Sequence, residues 1–273
     1  MKITIKPNFV ILLAVFLFLL AIYVFSPTIR VPQIQILSLL FSVIAALVGL
    51  YTSRIYGFKS AIGRSLILIT GGLICWSIAE VIWYVSDKLI EGGATSPSMA
   101  DIFFLLAYPF FGAGIYYGFA MAKIKLKQVN QLLLAAALSA SVILTYLVVY
   151  FILFQAYDST AEPIANIVNI GYGLGDLVMI ILSLMTILVA REYRGGKLAS
   201  FWIAIALGFL LVLIADIVYA IYGEQFLTDI KPYTYIDLLW IAGYILPIYA
   251  MLENYIHVSA VQNRIKLKLQ QRV

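Results

Sequence analysis

The sequence predicts an all-α polytopic bundle of about eight membrane-spanning helices, and three observations predict it. Of its 273 residues 64% are hydrophobic and only 11% are charged, and the mean hydropathy is +1.03. A soluble domain of this length needs a much more polar surface. The apolar residues fall in long unbroken runs, which excludes a transmembrane barrel, whose strands would be about 10 residues of alternating character. Finally, the basic residues alternate between successive connecting loops, as they do in a chain that crosses a bilayer repeatedly.

A span needs about 20 mostly apolar residues, because the hydrocarbon core is about 30 Å thick and a helix rises about 1.5 Å per residue. The first candidate, Val10–Phe25, follows Lys2 and Lys6 in the manner of a signal peptide. It ends Tyr23-Val24-Phe25-Ser26-Pro27 without a small-x-small cleavage site, so it is expected to remain as an uncleaved first span. Ile34–Tyr51 and Ser65–Val85 follow, the latter holding the lone Cys75, which removes disulfides and Cys-based metal sites. Ile102–Ala122 carries Gly114 and Gly118, a small-xxx-small pair suited to close helix packing. Leu132–Phe154 has no charged residue, and Ile164–Val189 crowds Gly171, Gly173 and Gly175 just before Asp176. Phe201–Tyr222 and Ile236–Ile256 complete the set, and the only histidine, His257, reads as an interface residue at the last span's end.

Orientation follows from Lys and Arg. Arg54, Lys59 and Arg64 share one side with Lys123, Lys125 and Lys127, with Arg191, Arg194 and Lys197, and with both tails (Lys2, Lys6; Arg264, Lys266, Lys268, Arg272). The other side has Arg30, Lys88 and Lys231 beside Asp87, Glu91, Asp158, Glu162, Glu224 and Asp229. The positive-inside rule then puts both termini in the cytoplasm of a bacterial or archaeal cell whose plasma membrane holds the chain. The net charge of +5 is thus a topology signal and gives no reason to invoke nucleic acid. A basic tail, 258–273, is expected beyond the last span.

The chain also matches itself at an offset of 136 residues. Gly72 meets Gly208, Ala79-Glu80 meets Ala215-Asp216, Trp83 meets Tyr219, Ser98 meets Thr234, Asp101 meets Asp237 and Tyr108 meets Tyr244. Arg54-Ile55-Tyr56 and Arg191-Glu192-Tyr193 match with a one-residue shift. The expectation is one transmembrane domain of two four-helix halves, 9–122 and 129–257. Four being even, both halves insert the same way, related by an axis along the membrane normal.

The ionisable groups at membrane depth are all acidic. Glu80 comes 15 residues after Ser65 and Asp216 comes 15 after Phe201, which places both about 22 Å up from the basic side at helical rise. Asp176 falls nearer the middle, and Asp101 and Asp237 lie where their spans begin. Buried carboxylates must take up a proton, find donors or face water. Tyr172 stands four residues before Asp176, Tyr84 four after Glu80, Tyr219 three after Asp216, and Tyr108 and Tyr244 seven after Asp101 and Asp237. Those spacings put each phenol on its acid's helix face, with Trp76, Trp83 and Trp240 as aromatic walls. One reading is an outward-facing acidic and aromatic pocket for a small cation, an amine or a proton-linked solute. The other is structural: Ser98-x-x-Asp101 and Thr234-x-x-Asp237 read as capping boxes, while Glu80, Asp176 and Asp216 would be acids satisfied by tyrosine. No nucleophile–base pair, phosphate loop or metal-ligand cluster is present, so neither catalysis nor a cofactor is expected.

Pro97-Ser98-Met99-Ala100-Asp101-Ile102-Phe103-Phe104-Leu105-Leu106-Ala107-Tyr108-Pro109 resembles a stretch of the multi-span membrane modules that precede bacterial diguanylate cyclase, phosphodiesterase and sensor kinase domains. Tyr172-Gly173-Leu174-Gly175-Asp176-Leu177 is similar to a second stretch of those modules, with Gly173 in place of a proline. Ala215-Asp216 ahead of Tyr219 also fits. The resemblance covers roughly residues 65–250 and implies a sensory or regulatory membrane module. It departs from the pattern after the last span: the 16 residues from 258 to 273 leave no room for an output domain, so output is expected through a separate cytoplasmic signalling partner. The competing expectation is a small proton- or cation-coupled transporter, favoured by the repeat and by Asp176.

Overall fold

In the computed structural model, which describes residues 7–25, 31–90, 96–122, 131–155, 157, 159–160, 162–192, 197–227 and 235–271, no strand is present among the described residues. The chain runs as α1 (Pro7–Phe25), α2 (Val31–Tyr56), α3 (Ala61–Leu89), α4 (Met99–Ala122), α5 (Gln131–Leu147), α6 (Pro163–Glu192), α7 (Lys197–Leu227) and α8 (Ile236–Gln270). Helix α5 continues as a π-helical segment, Val148–Gln155. Seven helices, α2 to α8, are long and apolar enough to cross a membrane. The 19 residues of α1 rise about 28 Å, close to the thickness of a hydrocarbon core. The protein is a multi-pass helical membrane protein.

Six helices close into a ring. Helix α2 packs on α3, α3 on α4, α4 on α6, α6 on α7, α7 on α8, and α8 returns to α2. Helix α1 lies against α8, and α5 with its π segment lies against α6 and α7. Those two peripheral helices expose apolar side chains such as Phe18, Val142, Ile143 and Tyr146, which hydrocarbon solvates at no cost. One core takes buried residues from all six ring helices, including Ala45, Leu73, Phe111, Met179, Phe209 and Met251.

Lipid is as apolar as leucine, so the ring is held by close packing and interhelical hydrogen bonds rather than by apolar burial. Both devices are visible. A side chain on Gly114 would collide with the Ile69 nitrogen at 2.8 Å and the Ser65 carbonyl at 2.9 Å, so α3 and α4 touch backbone to backbone. The Ser65 hydroxyl donates to the Gly114 carbonyl at 2.6 Å, and the Thr52 hydroxyl reaches the Met251 carbonyl at 3.1 Å. Gly118, the other half of the expected pair, makes room for the Trp202 ring of α7. The two glycines thus serve different neighbours.

Two ends can be told apart by charge. The basic end holds Arg54, Lys59 and Arg64 between α2 and α3, and the last turns of α8 with Arg264, Lys266 and Lys268. The acidic end holds Asp87 and the start of α4. Helix α8 does not stop at the expected end of its span, Ile256, but runs on to Gln270, so the described part of the basic tail is a continuation of that helix.

Candidate functional site

The acids converge. Glu80 of α3, Asp101 of α4, Asp176 of α6 and Asp216 of α7 form one network towards the acidic end, and each is reached by a donor from a different helix. The Tyr244 hydroxyl on α8 donates to Glu80 Oε1 at 2.7 Å. The Tyr108 hydroxyl on α4 donates to Asp176 Oδ1 at 3.1 Å, and the Tyr172 hydroxyl on α6 donates to Asp101 Oδ1 at 2.7 Å. The indole N–H of Trp240 on α8 donates to Asp216 Oδ1 at 2.8 Å. Asp176 and Asp216 lie within hydrogen-bonding reach of each other.

This rearranges the pairing drawn from spacing along single helices. Tyr172 serves Asp101 rather than its own Asp176, and Tyr244 serves Glu80 rather than Asp237. Tyr84 has the Lys88 ammonium over its ring at 5.5 Å, so Glu80 takes its phenol from across the ring. Tyr219 lies 5.8 Å, centroid to centroid, from Trp240. The reason is reach. A tyrosine hydroxyl projects well beyond its own helix surface, and the gap to a neighbouring helix axis is only about 8–10 Å. It therefore lands on the facing helix more readily than on a short aspartate one turn away.

At α4, Ser98 and Asp101 exchange hydrogen bonds at the helix start, and Asp101 has a second partner. Ser98 Oγ accepts the Ala100 N–H at 3.2 Å, and Asp101 Oδ2 accepts the Ser98 N–H at 2.5 Å. Asp101 Oδ2 also accepts the hydroxyls of Ser98 at 3.1 Å and Ser96 at 3.3 Å. Asp101 is 3% exposed, so one oxygen caps α4 while the other joins the network through Tyr172. At α8, Thr234 lies outside the described residues. There Tyr235 occupies the cap position with no side-chain cap hydrogen bond, and Asp237 is buried in the first turn.

Below the acids, towards the basic end, lies an aromatic floor. Trp76, one turn before Glu80, meets Phe111 at 4.6 Å and 66°, Phe209 at 6.4 Å and 87° and Tyr244 at 5.8 Å and 79°. Edge-to-face rings of this kind pack densely, and Phe111 and Phe209 are 0% and 1% exposed. Gly72 exists to admit the Phe111 ring, whose Cε1 would lie 2.4 Å from a side chain there. Similarly, a side chain on Gly175 would lie 2.3 Å from Tyr108 Cε2. Nothing in the sequence distinguishes Phe111 and Phe209 from other apolar residues. Trp240 was legible only as a wall, although a buried indole N–H needs an acceptor.

Chemically, the network is four carboxyl groups, three of them at membrane depth, and the donors that reach those three among the described residues are neutral O–H and N–H groups. Two like charges about 4 Å apart repel by about 4 kcal/mol even at an effective dielectric constant of about 20. The arrangement therefore favours a bound positive charge or proton. Comparison with protein-family profiles, with curated proteins and with solved structures returned no match.

Proposed function

We propose that this protein is a sensory or regulatory membrane module whose ligand site is the Glu80–Asp176–Asp216 network, with the acidic end facing out and both termini in the cytoplasm. The observation that supports it is the span of α8. One helix of 35 residues, about 52 Å long, carries two network donors and the exposed basic segment. Trp240 and Tyr244 bind the acids near its start, while Arg264, Lys266 and Lys268 project beyond the bundle at its other end. A change of charge among the carboxyls alters what holds the first turns of α8, and a rigid helix passes that change to the cytoplasmic surface. Pro247 lies between the two parts and removes one backbone hydrogen bond, yet α8 continues through it as a single helix. The aromatic floor of Trp76, Phe111 and Phe209 favours a site that reports over one that conducts, because it separates the acids from the basic end with fully packed rings.

The resemblance to the modules ahead of cyclase, phosphodiesterase and kinase domains agrees with this reading. It makes the α8 surface the place where a cytoplasmic signalling partner would bind. The test uses purified protein in nanodiscs, in a Cys75→Ala background, with a spin label at position 266 and a second at position 59. Native mass spectrometry first identifies what co-purifies. Adding that ligand is expected to change the label separation, with the change lost in Tyr244→Phe, and to produce no uptake into proteoliposomes. Ligand-linked uptake that Asp176→Asn abolishes would replace the sensory reading with proton- or cation-coupled transport.

A further inference from the structure

The site is asymmetric in a way that identifies its simplest ligand. Glu80 stands alone on its side and takes the Tyr244 hydroxyl. Asp216, its counterpart at an offset of 136, instead has a second acid within hydrogen-bonding reach, Asp176. The residue 136 positions before Asp176 is Leu40, so nothing in the first half repeats that second acid. Asp176 is 1% exposed. Its Oδ1 accepts from Tyr108, but its Oδ2 is buried and receives no hydrogen bond from the described residues. Two carboxylates within hydrogen-bonding reach repel each other, and one of them has a buried oxygen that receives no donor from the described residues. A proton placed between them supplies a donor to the unserved oxygen and removes the repulsion in one step, the arrangement by which paired carboxyls share a proton.

We infer that the Asp176–Asp216 pair is a proton-binding site that holds a single shared proton, and that the proton is the ligand this module senses. The inference rests on the sensory reading of the network and names its ligand. The step is balanced simply: one proton from the acidic side forms one O–H bond on a carboxylate and is hydrogen-bonded to the other, neutralising one charge. Among the described residues, the groups that meet the pair are neutral: the Tyr108 hydroxyl from α4 on Asp176 and the Trp240 indole N–H from α8 on Asp216, with the Tyr172 hydroxyl of α6 and the Tyr244 hydroxyl of α8 nearby. The π segment packed on α6, Val148–Gln155, has no charged side chain. A proton also suits the space, because the Tyr108 ring fills the room beside Gly175. Among the described residues no three acids gather in the geometry of a metal site.

The test is infrared difference spectroscopy of the purified protein in nanodiscs across a pH titration in water and deuterium oxide. A protonated-carboxyl C=O band is expected at neutral pH, to shift on deuteration and to disappear as pH rises. It should be lost in both Asp176→Asn and Asp216→Asn and kept in Glu80→Gln. Asparagine copies the shape of the protonated acid, so both variants are expected to fold. Tyr108→Phe, which keeps the pair and removes a donor to it, should shift the band without abolishing it. No protonated-carboxyl band at neutral pH, or a band that survives both asparagine variants, would overturn the inference. So would a band that only a co-purified amine or metal ion displaces. A shared proton whose titration leaves the α8 label separation unchanged would sink the sensory reading while leaving the proton site standing.

Discussion

Gly175→Ala sets two effects of opposite sign against each other, and the structure decides between them. In the interior of α6, alanine is favoured over glycine by about 0.8–1.0 kcal/mol on helix propensity. Its methyl group, however, would lie 2.3, 2.4 and 2.6 Å from Cε2, Cζ and Cδ2 of Tyr108. That ring is 8% exposed and packed in the core. Overpacking of this kind costs about 1–3 kcal/mol. Moving the ring also breaks the Tyr108–Asp176 hydrogen bond, worth about 0.6 and at most about 1.7 kcal/mol between helices in a bilayer. The two costs together outweigh the propensity gain, and the net expectation is a loss of about 1–4 kcal/mol. Gly112 in α4 is the control: nothing lies within 4 Å of a side chain placed there, so Gly112→Ala should gain up to about 1 kcal/mol. Equilibrium unfolding in mixed micelles with increasing sodium dodecyl sulfate measures both. If Gly175→Ala is as stable as Gly112→Ala, the Tyr108 ring does not occupy the place on which the network depends.

Two further outcomes follow from the packing and the charge pattern. Trp76→Ala removes the ring on which Phe111, Phe209 and Tyr244 converge, and should cost about 3–5 kcal/mol in the same unfolding assay. A loss below about 1 kcal/mol would mean that the floor collapses around the cavity or is not packed as described. In a Cys75→Ala background, cysteines replacing Lys125 and Ser159 should label from opposite sides of the membrane. Labelling from the same side would remove the eight-span arrangement and its orientation.

Much of the fold was legible because membrane depth imposes a length and an apolarity that no other structure shares. Every expected span has its helix, and the boundaries moved mainly where hydropathy gives no signal. Helix α8 is an example. The run ends near Ile256, yet the backbone stays helical through Arg264, Lys266 and Lys268, because nothing between them breaks a helix. The acids of the site were legible for a related reason: a carboxylate in an apolar run is costly enough to be conspicuous. Their partners were not. Periodicity along one helix states which side chains share a face, but which face meets which neighbour depends on ring closure. The contact of α4 with α6 and of α2 with α8 comes from helices distant in sequence. Trp240 and Asp216 meet because α7 packs on α8, and no spacing rule connects them.

The cross-helix pairing also explains why the two sides of the site differ. The offset of 136 relates Glu80 to Asp216 and Tyr244 to Tyr108, so equivalent pairs would be Tyr244 with Glu80 and Tyr108 with Asp216. The first pair exists, at 2.7 Å. In the second, Tyr108 donates to Asp176, and Asp176 stands next to Asp216. Glutamate is one methylene longer than aspartate, and that length lets Glu80 reach its phenol directly. The shorter Asp216 is held from the other direction by the Trp240 indole at 2.8 Å, and Asp176 enters on the side left open, with Gly175 beside it giving the Tyr108 ring room to turn towards it. An additional buried acid is expensive to keep. A fold that needed only structural satisfaction at this position could have used the leucine found at position 40. The carboxyl pair is therefore the part of the molecule least explained by packing, and the part where a change of charge has the shortest route to the helix that leaves the membrane.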